Sequence, residues 1–191
     1  ALEEERCTIA FAVPTQFVML CETPGFGRAL PHLRNFMSGG AALPESLAER
    51  VRAAGYAIRQ GFGMTEFGPN CFSISGEAAI VKPGSVGWPC PFVEMRLVDE
   101  QQHDVSDGTV GEILLRGPQL FSGYLFDAES TAAVMSPDGW YRSGDLAMRD
   151  ADGAFAIRGR CKHMFISGGE NVFPGEVEAA LTECSGVGEA V

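Results

Sequence analysis

Trp140-Tyr141-Arg142-Ser143-Gly144-Asp145-Leu146 and, shortly after it, Gly159-Arg160-Cys161-Lys162 place an acid and a base in a region otherwise made of strand and hairpin signals. Between them, Asp150-Ala151-Asp152-Gly153 reads as a tight turn, because Asp-Gly supplies the positive backbone angles that a hairpin needs. The turn joins residues 146–149 to residues 154–158 as antiparallel strands and folds Asp145 and Arg160 toward one end of the same sheet. A carboxylate beside a guanidinium at a sheet end suits a ligand that carries both a diol and negative charge, such as a ribonucleotide. A surface ion pair of little energetic worth is the other reading of the same two residues.

Working outward, the segments before this hairpin alternate strand and helix. Residues 8–13 form a short apolar run that ends at Pro14, which is well placed to open a helix through Leu20. Residues 33–37 are a second strand, followed by the Gly-rich turn Ser38-Gly39-Gly40-Ala41-Ala42-Leu43. Helical spacing over residues 44–54 puts Leu47, Val51 and Ala54 on one face. Residues 56–60 are a third strand, ending in Gly61-Phe62-Gly63-Met64-Thr65-Glu66. Such alternation implies parallel strands with helices on their faces. Ligands of such sheets sit at the carboxyl ends of the strands, where both Gly-rich turns lie.

From about Glu77 helical periodicity fades, and Pro83, Gly84, Gly87, Pro89 and Pro91 punctuate the chain. Strands are expected over residues 92–99 and 111–116, with Asp107-Gly108 in the turn between them. Asp127 is placed to cap one short helix through Val134. A further Gly-rich loop, Ser167-Gly168-Gly169-Glu170-Asn171, leads to a helix from Pro174 with Val177 and Leu181 on its apolar side. The expected fold class is α/β. Residues 1–76 are part of a large parallel-sheet domain, residues 77–160 a small antiparallel, β-barrel-like subdomain, and residues 161–191 the start of a small α+β C-terminal domain.

The bulk numbers narrow the function classes. A net charge of −11, with 14 Lys and Arg and no basic run, argues against nucleic-acid binding through phosphate contacts. The 46% hydrophobic content supports a buried core, yet no stretch of about 18 apolar residues is present to span a membrane. No secretion signal is expected from the first residues of this stretch. The six cysteines and three histidines lack zinc-ligand spacing. The cysteines read as reduced, buried small hydrophobes of a cytoplasmic protein.

Singly, the Gly-rich turns also read as ordinary strand-to-helix connections, Thr65 as a helix N-cap, Asp145 as a loop cap and Arg160 as a solvated cation. Their order is more specific. Gly39-Gly40-Ala41-Ala42-Leu43, Gly61-Phe62-Gly63-Met64-Thr65-Glu66, the 140–146 stretch, Gly159-Arg160-Cys161-Lys162, residues 164–174 and Glu176-Val177-Glu178 together resemble the adenylate-forming superfamily of acyl-CoA synthetases, luciferases and peptide-synthetase adenylation domains. The resemblance runs from about Thr8 to the end. It implies an enzyme, an AMP-forming acid–thiol ligase, in which ATP and a carboxylic acid give an acyl-adenylate whose acyl group passes to coenzyme A.

The resemblance also implies roles for residues. Gly40, Ala41 and Ala42 lie against adenine, and Gln60 and Gly61 border the adenine and acyl pocket. Thr65 binds a phosphate and Glu66 holds Mg²⁺. Asp145 accepts both ribose hydroxyls and Arg160 donates to the ribose. Lys162 is the hinge of the small C-terminal domain, and Gly168 and Gly169 admit the pantetheine arm of CoA. Ser143 stands where many members have Thr, His163 where an acidic residue is common, and Ala42 where Pro is frequent. The family's phosphate loop ending in Pro-Lys-Gly and its C-terminal catalytic lysine are not among these 191 residues, so the chain reads as an internal piece, expected to be inactive alone. A fatty acid is the first expected substrate. An aryl-CoA ligase and a peptide-synthetase adenylation domain are the enzymatic alternatives, and a nucleotide-binding scaffold module is the non-enzymatic one.

Overall fold

The computed structural model describes residues 1–168, 170–182, 184, 186–187 and 190. The chain divides into two compact units, Ala1–Pro91 and Phe92–Val191. The first holds a three-stranded parallel sheet, and the second holds four strands of an antiparallel, curled sheet.

In the first unit the order is β1 (Ile9–Ala12), α1 (Pro14–Glu22), β2 (Asn35–Ser38), α2 (Glu45–Ala53), β3 (Ile58–Gln60), β4 (Phe72–Ser73), α3 (Gly76–Val81) and β5 (Ser85–Pro89). Strands β1, β2 and β3 pair in parallel with β2 in the centre. Alternation along each strand turns Phe36 and Ile58 to one face, where Phe17 of α1 and Leu47, Ala48 and Val51 of α2 complete a buried cluster. Phe36 is the middle of that cluster, with edge-to-face ring contacts to Phe17 and Tyr56, each at 5.3 Å between centroids. Pro14 occupies the first turn of α1, as expected for a residue without an N–H to place. All three strands point their carboxyl ends the same way, so Gly39-Gly40 and Gly61-Phe62-Gly63 emerge from one edge of this sheet.

Two elements of this unit depart from expectation. Helix α3 forms where periodicity was expected to have faded, nucleated by Ser75, whose Oγ accepts the Ala78 N–H at 3.1 Å. At six residues it is too short to show a helical period. Strand β5 runs through the Gly and Pro punctuation and pairs antiparallel with β4.

The second unit contains β6 (Glu94–Val98), β7 (Val110–Arg116), α4 (Ala128–Val134), β8 (Tyr141–Arg149), β9 (Phe155–Arg160), β10 (Phe165–Ser167), β11 (Glu170–Val172) and α5 (Pro174–Thr182). Its antiparallel sheet runs β9-β8-β7-β6. The expected turn at Asp150–Gly153 joins β8 to β9, with the Asp150 carboxylate accepting the N–H groups of Asp152 and Ala154. Asp127 caps α4 by accepting the Ser130 N–H at 2.9 Å, and that bond holds its carboxyl below the usual carboxylate range. Between β6 and β7 the expected Asp107-Gly108 turn is present, with the Thr109 N–H donating to the Ser106 carbonyl at 3.1 Å and Gly108 at φ 80°. A further reversal forms at Asp99–His103, where the Asp99 carboxylate gathers the N–H groups of Gln101 and His103. Trp140 is buried against Val98 and Leu114, and the Arg116 and Arg96 guanidinium groups lie 4.5 and 5.5 Å from its ring centre.

The Gly-rich stretch expected as a loop after Ser167 is part of a hairpin, β10 with β11. Val177 and Leu181 of α5 are exposed, so the apolar side expected for that helix is uncovered within the described residues. No disulfide joins the six cysteines, but only Cys71 is buried; Cys184 is exposed and the other four are half-buried. The expectation of buried thiols holds for one of them. No helix among the described residues is long and apolar enough to cross a membrane.

Candidate functional site

In the second unit, Asp145 and Arg160 are direct partners across β8 and β9. The Arg160 Nε donates to Asp145 Oδ1 at 2.8 Å, with the carboxylate buried and the guanidinium half exposed. The expected turn pairs residues 147–149 with 155–157, and a one-residue irregularity between Leu146 and Ala147 then shifts the register so that Asp145 faces Arg160 rather than Gly159. The pair therefore differs from a surface bridge in one respect: its acid side is taken out of water, where charge-assisted bonds are stronger.

The backbone that carries Asp145 is irregular. Between the paired residues Glu112↔Leu146 and Leu114↔Arg142, Ile113 of β7 faces three residues of β8, Ser143, Gly144 and Asp145. Gly144 sits at φ 69°, a left-handed angle that glycine takes without Cβ strain. Side chains replace the ladder bonds that such a bulge loses. Ser143 Oγ donates to the Ile113 carbonyl at 2.8 Å and accepts the Asp145 N–H at 3.0 Å. Glu112 Oε1 accepts the Gly144 N–H at 3.2 Å, while its Oε2 accepts from Arg142 Nη2 at 2.7 Å. That bond also raises the Arg142 pKa above the ordinary arginine value. Glu112 is a site-shaping residue that sequence reasoning missed. A charged residue inside the apolar strand run 110–116 was the available signal.

Cys161 follows directly, its N–H donating to the Gly144 carbonyl at 2.8 Å. Burial, and then the negative charges of Glu112 and Asp145, push its thiol pKa up. At neutral pH the thiolate is correspondingly scarce. Alkylation by iodoacetamide at pH 7 is expected to label exposed Cys184 well before Cys161, as peptide mass mapping over a time course would show; equal rates would contradict the assignment. Lys162 lies in an exposed turn, and Gly168 is at the tip of the β10–β11 hairpin. Gly169 lies outside the described residues.

In the first unit, Gly40, Ala41 and Ala42 form an exposed turn beyond β2. Gln60, at the end of β3, reaches back to this turn: its Oε1 accepts the Leu43 N–H at 2.9 Å. The adjacent Gly61 N–H donates to the Ser38 carbonyl at 2.7 Å. Thus Gly40–Ala42, Gln60 and Gly61 belong to one edge of this unit. Thr65 and Glu66 occupy the tip of a tight loop closed by an isolated bridge between Met64 and Gly68, with Phe67 buried beneath it as an anchor. Gly63 has a steric role there, because a Cβ on it would overlap the Pro69 carbonyl group and crowd the Gly68 oxygen.

Among the described residues, no group of three or more His, Cys, Asp or Glu side chains converges as a metal cage. Magnesium does not need one, because it keeps several waters and takes one or two carboxylates together with substrate phosphates. The half-buried Glu66 carboxylate beside Thr65 fits a cation of that kind.

Comparison with known proteins gives the family. The sequence pattern of the AMP-binding enzyme family matches residues 1–125. Feruloyl-CoA synthase of an Amycolatopsis species is 42% identical over 188 residues, which cover 98% of this chain and 38% of that protein. The long-chain-fatty-acid–CoA ligase of Thermus thermophilus is 35% identical over 189 residues, covering 93% of this chain and 35% of that one. Among solved structures, the amide bond synthetase McbA from Marinactinospora thermotolerans superposes with a TM-score of 0.90 at 33% identity, over 100% of this chain and 40% of its own. This chain therefore spans two-fifths or less of the length of these relatives. By sequence pattern, identity and fold alike, the chain belongs to the AMP-binding enzyme family.

Proposed function

We propose that the chain contributes to ATP-dependent activation of a carboxylic acid, followed by transfer of the acyl group to the thiol of coenzyme A. In the first step a carboxylate oxygen attacks the α-phosphorus of ATP, and the bond to the departing pyrophosphate breaks. In the second the CoA sulfur attacks the acyl carbon, AMP leaves and the thiol proton is released. The observation that carries this reading is the buried Asp145 carboxylate held against Arg160 across β8 and β9. Asp145 is assigned the two ribose hydroxyls and Arg160 a donor to the same sugar.

The remaining roles are assigned from the family resemblance of each motif. The Gly40–Ala42 turn lacks bulky side chains, which suits a flat purine, with Gln60 and Gly61 bordering it. The Thr65 hydroxyl is assigned a phosphate contact, and Glu66 the Mg²⁺ that neutralises phosphate charge when bound. Gly168 and Gly169 are assigned to the pantetheine arm, and Lys162 to a hinge whose work requires backbone freedom. Reactants of this kind and six thiols without a disulfide support a cytoplasmic setting.

For the acid we propose a carboxylate on an apolar body, either fatty or aromatic. The 42% identity to feruloyl-CoA synthase against 35% to the fatty-acid ligase favours placing aromatic acids beside the fatty acids in a first screen. ATP–pyrophosphate exchange with the product of the complete reading frame that encodes this chain, across fatty, aryl and amino acids, tests the reading. Exchange with an apolar acid is expected. Silence across the panel would favour a nucleotide-binding scaffold instead. The likeness to an amide bond synthetase favours one second reading, acyl transfer to an amine, and product analysis with CoA or an amine as acceptor separates the two.

A smaller change probes the Thr65-Glu66 loop. Gly63→Ala forces the loop backbone away from Pro69 at a cost of about 1–3 kcal/mol. Exchange activity is expected to fall more than the melting temperature. Full activity in that variant would separate the loop from phosphate binding.

A further inference from the structure

We propose that Glu112 is a positioning residue for ribose recognition, acting through the backbone of Gly144 and resting on the assignment of Asp145 to the ribose hydroxyls. Glu112 is 9% exposed, an unusual place for a carboxylate on a strand whose neighbours Ile113, Leu114 and Leu115 are core. Its two oxygens divide their work. Oε2 takes the Arg142 guanidinium and Oε1 takes the Gly144 N–H. The second bond matters because Gly144 is the middle residue of the segment that bulges opposite Ile113. An N–H lifted out of the ladder and left without an acceptor in a buried setting is costly, and Glu112 supplies that acceptor from the neighbouring strand.

The consequence reaches both members of the ribose pair. Gly144 precedes Asp145, and its carbonyl accepts the Cys161 N–H at 2.8 Å, the residue after Arg160. One peptide segment, fixed by Glu112 on one side and tied to Cys161 on the other, therefore sets the positions of Asp145 and Arg160 together. Ser143 adds a second tether, with its hydroxyl on the Asp145 N–H and its carbonyl accepting from Arg160 Nη1 at 3.4 Å. The bulge offsets Asp145 from the flat ladder, and Glu112 keeps that offset constant.

A purely structural ion pair between Glu112 and Arg142 makes a different prediction from a positioning role, and two conservative variants separate them. Glu112→Gln keeps the length and an amide oxygen for the Gly144 N–H but loses the charge. Glu112→Asp keeps the charge for Arg142 but is one methylene too short to hold both partners. The measurement is pyrophosphate exchange with ATP and with 2′-deoxy-ATP, using the product of the complete reading frame, with KM for the carboxylic acid alongside. Glu112→Asp is expected to narrow the preference for ATP over 2′-deoxy-ATP about tenfold, the equivalent of one charge-assisted hydrogen bond, with KM for the acid unchanged. Glu112→Gln is expected to stay within about twofold of the unaltered protein. The reverse order, or equal losses with both nucleotides, would overturn the proposal and leave an ion pair. Asp145→Ala serves as the reference: if it leaves the nucleotide preference intact, the ribose assignment itself fails, and the proposal falls with it.

Discussion

Asp145→Ala is expected to raise KM for ATP by roughly ten- to a hundredfold, because a charged acceptor of the ribose hydroxyls contributes about 1.5–3 kcal/mol. The carboxylate is buried and bridged to Arg160, so its removal has two effects. The sugar loses its acceptor, and the guanidinium loses the partner that aims it. Arg160 is half exposed and reaches water when released, so the fold is expected to survive the change. Pyrophosphate exchange at varied ATP, with circular dichroism to verify folding, measures the effect. A folded variant with unaltered ATP dependence would remove Asp145 from the nucleotide site.

Phe36→Ala is expected to be the most destabilising single truncation in the first unit, by about 3–5 kcal/mol. Phe36 is 1% exposed on the central strand and makes edge-to-face contacts with both Phe17 and Tyr56. Its removal opens a cavity beneath α1 and α2 and also forfeits the two ring pairs, each worth about 0.5–1.5 kcal/mol beyond burial. A loss of that size is a large part of a domain's total stability, about 5–15 kcal/mol. Urea denaturation followed by circular dichroism is expected to show a midpoint lowered by about 1–5 M, at an m-value of about 1–3 kcal/mol/M. A midpoint lowered by less than the equivalent of about 1 kcal/mol would mean that the cluster collapses around the gap.

Both predictions rest on features that differ in how far the chain itself reveals them. The parallel unit was legible because its strands and helices have distinct periods, and Pro14, Gly39-Gly40 and Gly61 punctuate them where the elements end. Helix α3 and strand β5 were not. One is shorter than two turns, and the other keeps its pairing despite Gly87 and Pro89. Local signals carry little information over such lengths, so tertiary pairing decides. Between β6 and β7 the Asp107-Gly108 turn was legible, whereas the reversal at Asp99–His103 was not, since it is made by the Asp99 side chain accepting nearby N–H groups.

By itself, the order of the motifs determined the family, the strand–turn–strand carrying Asp145 and Arg160, and the reaction class to test. The Asp150–Gly153 turn brings the two segments together, since a hairpin register is counted from its turn, but the register shift beside Leu146 is what sets Asp145 opposite Arg160. What only the tertiary structure decided is that the Asp145 side of the pair is buried, that Ser143-Gly144-Asp145 bulges against Ile113, and that Glu112 from another strand holds the bulge. Pairing between β7 and β8 crosses a long connection that includes α4. A bulge changes which residues face one another, and no local pattern in either strand records it.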